Sequence, residues 1–219
     1  SGAIGEEYRK LFELSAKILK DHPINIERKK AGKNTANSIW LWSPGKKPQL
    51  SSFFEKFNLK GTVISAVDLI KGIGLCADME SIDVEGATGN VHTNYSGKAD
   101  AAIDAFKRGK DLVYIHVEAP DECGHRFEIA NKVKAIELID EKILGVILKE
   151  FQGEDIKILI CPDHPTPLEL KTHTNAPVPF MIYDSTKAVN GADRFCEESA
   201  AATKDYVAVG HELMAQFLA

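Results

Sequence analysis

The chain has 219 residues, 44% hydrophobic and 27% charged, with a net charge of -5. That length suits one large domain with a real core, and the acidic balance argues against general affinity for nucleic acid or an anionic membrane. No apolar run approaches the roughly 20 residues needed to span a bilayer, so no membrane partner is expected. Small anionic substrates stay open, because a bound metal can reverse the local field. The four cysteines, Cys76, Cys123, Cys161 and Cys196, show no paired spacing. A reducing cytoplasm without a disulfide framework is the expectation. The opening Ser1-Gly2-Ala3-Ile4-Gly5 carries no initiator Met and no signal-peptide pattern, which points to a fragment or a tag remnant.

In chain order, residues 6–20 place Leu11, Leu14, Ile18 and Leu19 at helical spacing with charges opposite. After a polar, turn-rich stretch, Ser38–Trp42 reads as a buried strand with Trp40 and Trp42 in the core. It ends in Ser43-Pro44-Gly45-Lys46-Lys47, either a solvated turn or a loop whose lysines hold a carboxylate or phosphate. Residues 50–57 suggest a short helix with Ser51 or Ser52 at its N-cap, residues 61–65 a strand, and VDLIKGIGL another short helix. Residues 82–97, with Gly86, Gly89, Asn90, Asn94 and Gly97, read as loop, and a helix starts at Lys98. Residues 111–117 give the clearest strand and residues 127–151 the clearest helix. Strands at 156–160 and 178–183 and a helix at 204–218 close the chain.

Strands thus alternate with helices, and several are apolar on both faces. This predicts an α/β fold, a mostly parallel sheet flanked by helices on both sides, in one domain spanning 1–219. Three polar clusters sit at strand ends: Asp121-Glu122-Cys123-Gly124-His125, Cys161-Pro162-Asp163-His164-Pro165, and Lys171-Thr172-His173-Thr174. In open α/β sheets ligands gather at the carboxyl ends of strands. Asp121 and His125 are one helical turn apart, and prolines flank Asp163 and His164. Carboxylate oxygen with imidazole nitrogen is a donor set for zinc or manganese. Five donors exceed one catalytic ion's need and point to two neighbouring ions clamping a phosphoryl group.

A lone Asp or His at a strand end is more often a helix cap or a solvated loop residue; three such clusters on one edge favour metal. His22, His116 and His211 take surface or core roles, and His92 is left open. Cys123 and Cys161 are read as packing residues, since soft sulfur beside Asp is out of place in a phosphoryl site.

APDECGH, CPDHPTP and THT before NAPVPF together resemble the cofactor-independent phosphoglycerate mutases of the archaeal-type branch, within the alkaline phosphatase superfamily. NSIWLWSPGKKP and GATGNVHTNYSGKA look like further landmarks, so the resemblance spans roughly residues 20–185. It implies a bimetallic manganese or zinc site, with Asp121, His125 and His173 on one ion and Asp163 and His164 on the other. It also implies a phosphoglycerate substrate gripped near Lys46. In the family, an Asp near the N-terminus and a serine nucleophile complete the second ion, and neither motif is found in this chain. The expectation is therefore the C-terminal part of the phosphatase-like core, lacking its N-terminal part. Such a piece would hold at most one ion well, would be inactive alone, and would be prone to self-association through an open sheet edge. A homoserine kinase-like activity and a non-catalytic metal-binding module are the alternative readings.

Overall fold

The computed structural model describes residues 3–41, 45–187 and 189–219. Trp42, Ser43 and Pro44, from the expected strand and its loop, lie outside the described residues. Contacts divide the chain into two compact units, Ser1–Pro48 and Gln49–Ala219, each described by itself.

In the first unit, α1 (Ala3–Lys20) leads into α2 (Pro23–Lys30). His22 caps α2 by accepting from the Ile24 amide, and Pro23 opens the helix where no amide donor is needed. Buried Asn25 clips the return of the chain. Its amide donates to the carbonyls of Leu19 (2.7 Å) and Ala36 (2.8 Å), and its oxygen accepts from the Ala36 N–H. Beyond it, Ser38 meets Ser15 of α1 at 3.0 Å, and the Ile39 N–H donates to the Ser15 hydroxyl. Residues 38–41 form no strand, and Trp40 is 80% exposed. Both expectations are corrected here: side-chain hydrogen bonds to a helix hold this apolar run, not sheet pairing.

The second unit opens with α3 (Phe53–Phe57), whose Ser52 and Glu55 make a reciprocal capping box. Then β1 (Gly61–Ile64), α4 (Asp68–Cys76), β2 (Glu80–Ile82), α5 (Tyr95–Lys107) and β3 (Leu112–Ile115) build a parallel sheet of order β2-β1-β3. The chain steps from β1 outward to β2, then back across to β3. Right-handed crossovers in opposite directions put α4 and α5 on opposite faces. Accordingly β1 is buried at every position. Gly74 of α4 is required here, because a Cβ would lie 2.7 Å from a Val63 methyl. β2 is not foreseen by the sequence reading: residues 76–81 carry no expected element, and only Ile82 falls in the expected loop. The first turn of α5 starts earlier than Lys98, because Asn94 caps it through the Gly97 N–H at 2.8 Å.

After β3 come α6 (Ala119–His125) and α7 (Ile129–Ile139), then one π-helical turn (Asp140–Leu144) and α8 (Gly145–Glu150). The expected single helix is interrupted at its start, where Phe127 adopts a left-handed φ of 58°. β4 (Lys157–Ile160) and β5 (Met181–Asp184) form a separate antiparallel pair, with Ile160 opposite Met181. The closing segment is two short helices, α9 (Glu197–Thr203) and α10 (Leu213–Leu218).

Polar side chains tie the carboxyl ends of β1 and β3 together. Ser65 accepts from the Val67 N–H (2.9 Å) and pairs with His116 Nδ1 (3.1 Å). Lys98, fully buried, donates to the His116 carbonyl at 2.7 Å. Burial pulls the Lys98 ammonium from 10.5 down to about 8, with Glu118 opposing. This folded value lies below the unfolded one. The unfolded chain therefore binds the extra proton between those two pH values, and the contribution to stability rises as pH climbs through that window. Relative to Lys98→Met, the wild type should gain on the order of 3 kcal/mol of unfolding free energy across it. Urea denaturation of both proteins at several pH values measures this. A difference that stays flat with pH would show that the ammonium is not desolvated.

Candidate metal centre

Two connections deliver the clustered donors. The first is α6, which leaves the carboxyl end of β3 and carries Asp121 and His125. Pro120 sits in its first turn, fixing the backbone without wasting a donor. Small residues let α6 sit close. Ala119 and Cys123 are fully buried against Val91 and Ala135, and a Cβ on Gly124 would lie 2.5 Å from the Thr166 carbonyl. The second connection is the long link between β4 and β5. Because those strands are antiparallel, Asp163 and His164 leave one strand at the same end where His173 approaches the other. The Thr174 N–H donates to the Pro165 carbonyl at 3.1 Å, closing the link on itself.

The structure brings Asp121, His125, His164 and His173 together, with Asp163 reaching the group only through its sequence neighbour His164. His125 Nε2 is 3.3 Å from Asp121 Oδ2, and His173 Nε2 is 3.2 Å from Asp121 Oδ1. The two Nε2 atoms lie 3.0 Å apart. His164 stacks on His173 with ring centroids 3.7 Å apart, and its own Nε2 is 3.3 Å from Asp163 Oδ2. Asp121, His164 and His173 each offer a ligand atom, all within 4.8 Å of one another. Asp163 is the outermost, its side chain 65% exposed.

These separations suit a divalent ion. Donors about 2.0 Å from a tetrahedral zinc stand about 3.3 Å from each other. The tautomer at His125 also suits one. Its Nδ1 faces the Lys171 carbonyl at 2.9 Å, and a carbonyl only accepts. The proton therefore sits on Nδ1, and the Nε2 lone pair is turned toward Asp121 and His173.

Around the cluster, Glu118 is half-buried, and burial, then Glu122 and Asp121, push its carboxyl above the usual range. Its carboxylate lies where a Cβ on Gly89 would be, at 2.0 Å, so the GATGN segment requires glycine there. Neither neighbouring thiol is poised to ionise. Burial pushes Cys123 up; at Cys161, exposed rather than packed as expected, desolvation and then Asp163 push the thiol up. Lys46 is exposed and belongs to the first unit. His92 and His211 are exposed.

Two residues were undervalued by the sequence reading. His116, taken as bland, is locked to Ser65, and burial, then Lys98, holds its pKa down. Thr166, given no part, is buried and donates its hydroxyl to Asp121 Oδ1. Its place inside CPDHPTP, two residues after His164, was the available signal.

If these side chains hold an ion, His173→Ala should weaken zinc or manganese binding by at least about 100-fold while leaving the fold intact. Calorimetric titration with circular dichroism as the fold control tests this. Unchanged affinity would remove His173 from the ligand set.

Comparison with known proteins agrees with the geometry. A family profile described as the metalloenzyme superfamily matches residues 8–218. The 2,3-bisphosphoglycerate-independent phosphoglycerate mutase of Methanosarcina acetivorans is 49% identical over 201 residues, covering 90% of this chain and 50% of the relative. A probable mutase of the same name from Geobacter sulfurreducens is 48% identical, covering 98% and 55%. Among solved structures, the PH0037 protein of Pyrococcus horikoshii superposes with a TM-score of 0.76 at 31% identity, covering 91% of this chain and 52% of that one. The cofactor-independent phosphoglycerate mutase of Thermoplasma acidophilum gives 0.57 at 25% identity, covering 98% and 51%. The chain spans about half the length of the curated relatives it matches. The profile match runs through α6 and the β4–β5 link that bring the donors together, and the chain belongs to the metalloenzyme superfamily.

Proposed function

We propose that Asp121, His125, His173, Asp163 and His164 hold divalent metal, manganese or zinc, for phosphoryl transfer. The whole protein would then interconvert 3-phosphoglycerate and 2-phosphoglycerate in the cytoplasm. The observation that carries this reading is the convergence of Nε2 of His125 and His173 on the Asp121 carboxylate, at 3.0–3.3 Å. The relatives at 48–49% identity, named as phosphoglycerate mutases, support the substrate class. Bound divalent ions would neutralise charge on the transferring phosphoryl group.

The chain's own residues set the geometry. Lys171 fixes the His125 tautomer through its carbonyl, and the link between β4 and β5 holds His164 against His173. Lys46 is proposed to meet the substrate's anionic groups. The covalent step requires a serine nucleophile that takes the phosphoryl group and returns it to the other hydroxyl. The motifs in these residues supply no such serine, so the 219-residue chain alone is proposed to be inactive. It is also proposed to retain one ion better than two, because Asp163 and His164 alone leave half of a four-coordinate shell to water.

The assay compares the full-length protein with this chain, using 3-phosphoglycerate in one arm and homoserine with ATP in the other. Mutase turnover is expected only from the full-length protein and only in the first arm. Homoserine phosphorylation instead would move the assignment to a kinase of the same branch. The edge of β3 away from β1 has no strand partner among the described residues, and Met181, Ile182 and Tyr183 of β5 are 37–43% exposed. Self-association of this chain is therefore expected. Sedimentation velocity over rising concentration should show a growing dimer fraction, and a monomer throughout would contradict it.

A further inference from the structure

Resting on the metal reading above, we propose that Thr166 is a positioning residue that couples the ligands of the two ions through its hydroxyl. Its Oγ1 touches two proposed ligands on different connections: Asp121 Oδ1 on α6 and, at 3.4 Å, His164 Nδ1 on the β4–β5 link. The direction of each bond follows from chemistry. An ionised carboxylate only accepts, so the threonine hydroxyl gives its single proton to Asp121. Its oxygen then has only lone pairs left for His164, so a bond there needs the hydrogen on His164 Nδ1; Asp163 Oδ2, 3.3 Å from Nε2, pulls the other way but is 65% exposed and screened by water. The relay runs from His164 Nδ1–H to Thr166 Oγ1–H to Asp121 Oδ1. It leaves the His164 Nε2 lone pair as the free donor, on the side where Asp163 Oδ2 stands at 3.3 Å.

The hydroxyl is itself held. Thr166 is 5% exposed, and its carbonyl accepts from Lys132 Nζ of α7 at 3.0 Å. On the other side α6 lies flush against it, because Gly124 presents no Cβ and the space one would need is filled by the Thr166 carbonyl and methyl. A residue fixed on two sides, by α7 and by α6, can hold two ligands that come from distant parts of the sequence. Outer hydrogen bonds of this kind orient ligands and tune their basicity. The same relay would place the His164 hydrogen on Nδ1 before any ion arrives.

The test uses the 219-residue chain as it stands, titrated with zinc alone and with cobalt alone as a spectroscopic probe. Thr166→Val keeps the shape and removes the hydroxyl, and Thr166→Ser keeps the hydroxyl and removes the methyl. Thr166→Val should lose about 10- to 100-fold in metal affinity, with Thr166→Ser staying within about threefold of wild type. In metal-free protein, ring-nitrogen NMR should find the proton of His164 on Nδ1 in the wild type and Thr166→Ser, and redistributed in Thr166→Val. Wild-type affinity in Thr166→Val, while His173→Ala loses it, overturns the relay and leaves the metal reading standing. Equal losses in both Thr166 variants overturn it too, because the methyl and not the hydroxyl would then matter. A wild-type chain that binds neither metal ends the ligand reading itself, and the histidine tautomers in the same samples judge the relay separately.

Discussion

The lone pair of His125 Nε2, the Nε2 of His173 3.0 Å away and the Asp121 carboxylate all crowd one point. Holding these electron-rich groups together is what the surrounding structure has to do. A hydrogen on His173 Nε2 can bridge the two rings in the metal-free chain, and a divalent cation would replace it in a loaded one. The scaffold must therefore be stiff enough to keep electron-rich groups together between binding events. It gains that stiffness by setting α6 directly on the end of a buried parallel sheet, with Ala119 and Cys123 wholly inside. It gains more by closing the β4–β5 link through the Thr174–Pro165 and His125–Lys171 contacts.

The order β2-β1-β3 explains why the cluster sits where it does. The chain reverses direction across β1, so the carboxyl ends of β1 and β3 flank the point where the crossover helices part to opposite faces. Ser65 and His116 fill that point with a paired hydroxyl and imidazole, while Lys98 anchors the last carbonyl of the β3 exit from below. Placing an ammonium there costs desolvation, visible in its lowered pKa, and the hydrogen bond to His116 offsets part of that cost. The proposed metal ligands begin only five residues later, at Asp121, so the backbone leaving β3 has little length in which to wander.

The sequence made the donors legible because their chemistry is local. Asp121 and His125 lie one helical turn apart, and Asp163 with His164 is held between prolines, so composition and spacing alone aimed each pair. The strands at 61–64, 112–115 and 157–160 were legible as short apolar runs between turn residues. What was lost depends on pairing or on distance. β2 is three residues with mixed polarity, and only its register with Thr62, Val63 and Ile64 makes it a strand. The run at 38–41 has the composition of a strand, yet its nearest backbone partners are the Ser15 hydroxyl and the carbonyl of Phe12. Of the expected helix 204–218 only the end forms, as a 3-10 turn at Gly210–Glu212 and α10, while Lys204 at a left-handed φ of 63° closes α9 where the helix was to begin. Thr166 stood inside CPDHPTP, but its partner, Asp121, lies 45 residues away, so its role was not legible.

Donor arithmetic then separates what this chain decides from what its neighbours in a longer protein would decide. Two four-coordinate ions need about eight donors, and catalytic sites keep at least one position open for water or substrate. On the proposed reading, the five side chains here would come close to filling one ion and begin a second. They would set the net charge of the site, its orientation and the side from which a phosphoryl oxygen could approach. The identity of the alcohol receiving the phosphoryl group would be set by contacts beyond this shell. Metal affinity and tautomer state would then belong to α6 and the β4–β5 link, and substrate choice to residues that complete the second ion. A variant within the five donors should change the rate for every phosphoryl acceptor alike, whereas discrimination between acceptors should respond to changes elsewhere.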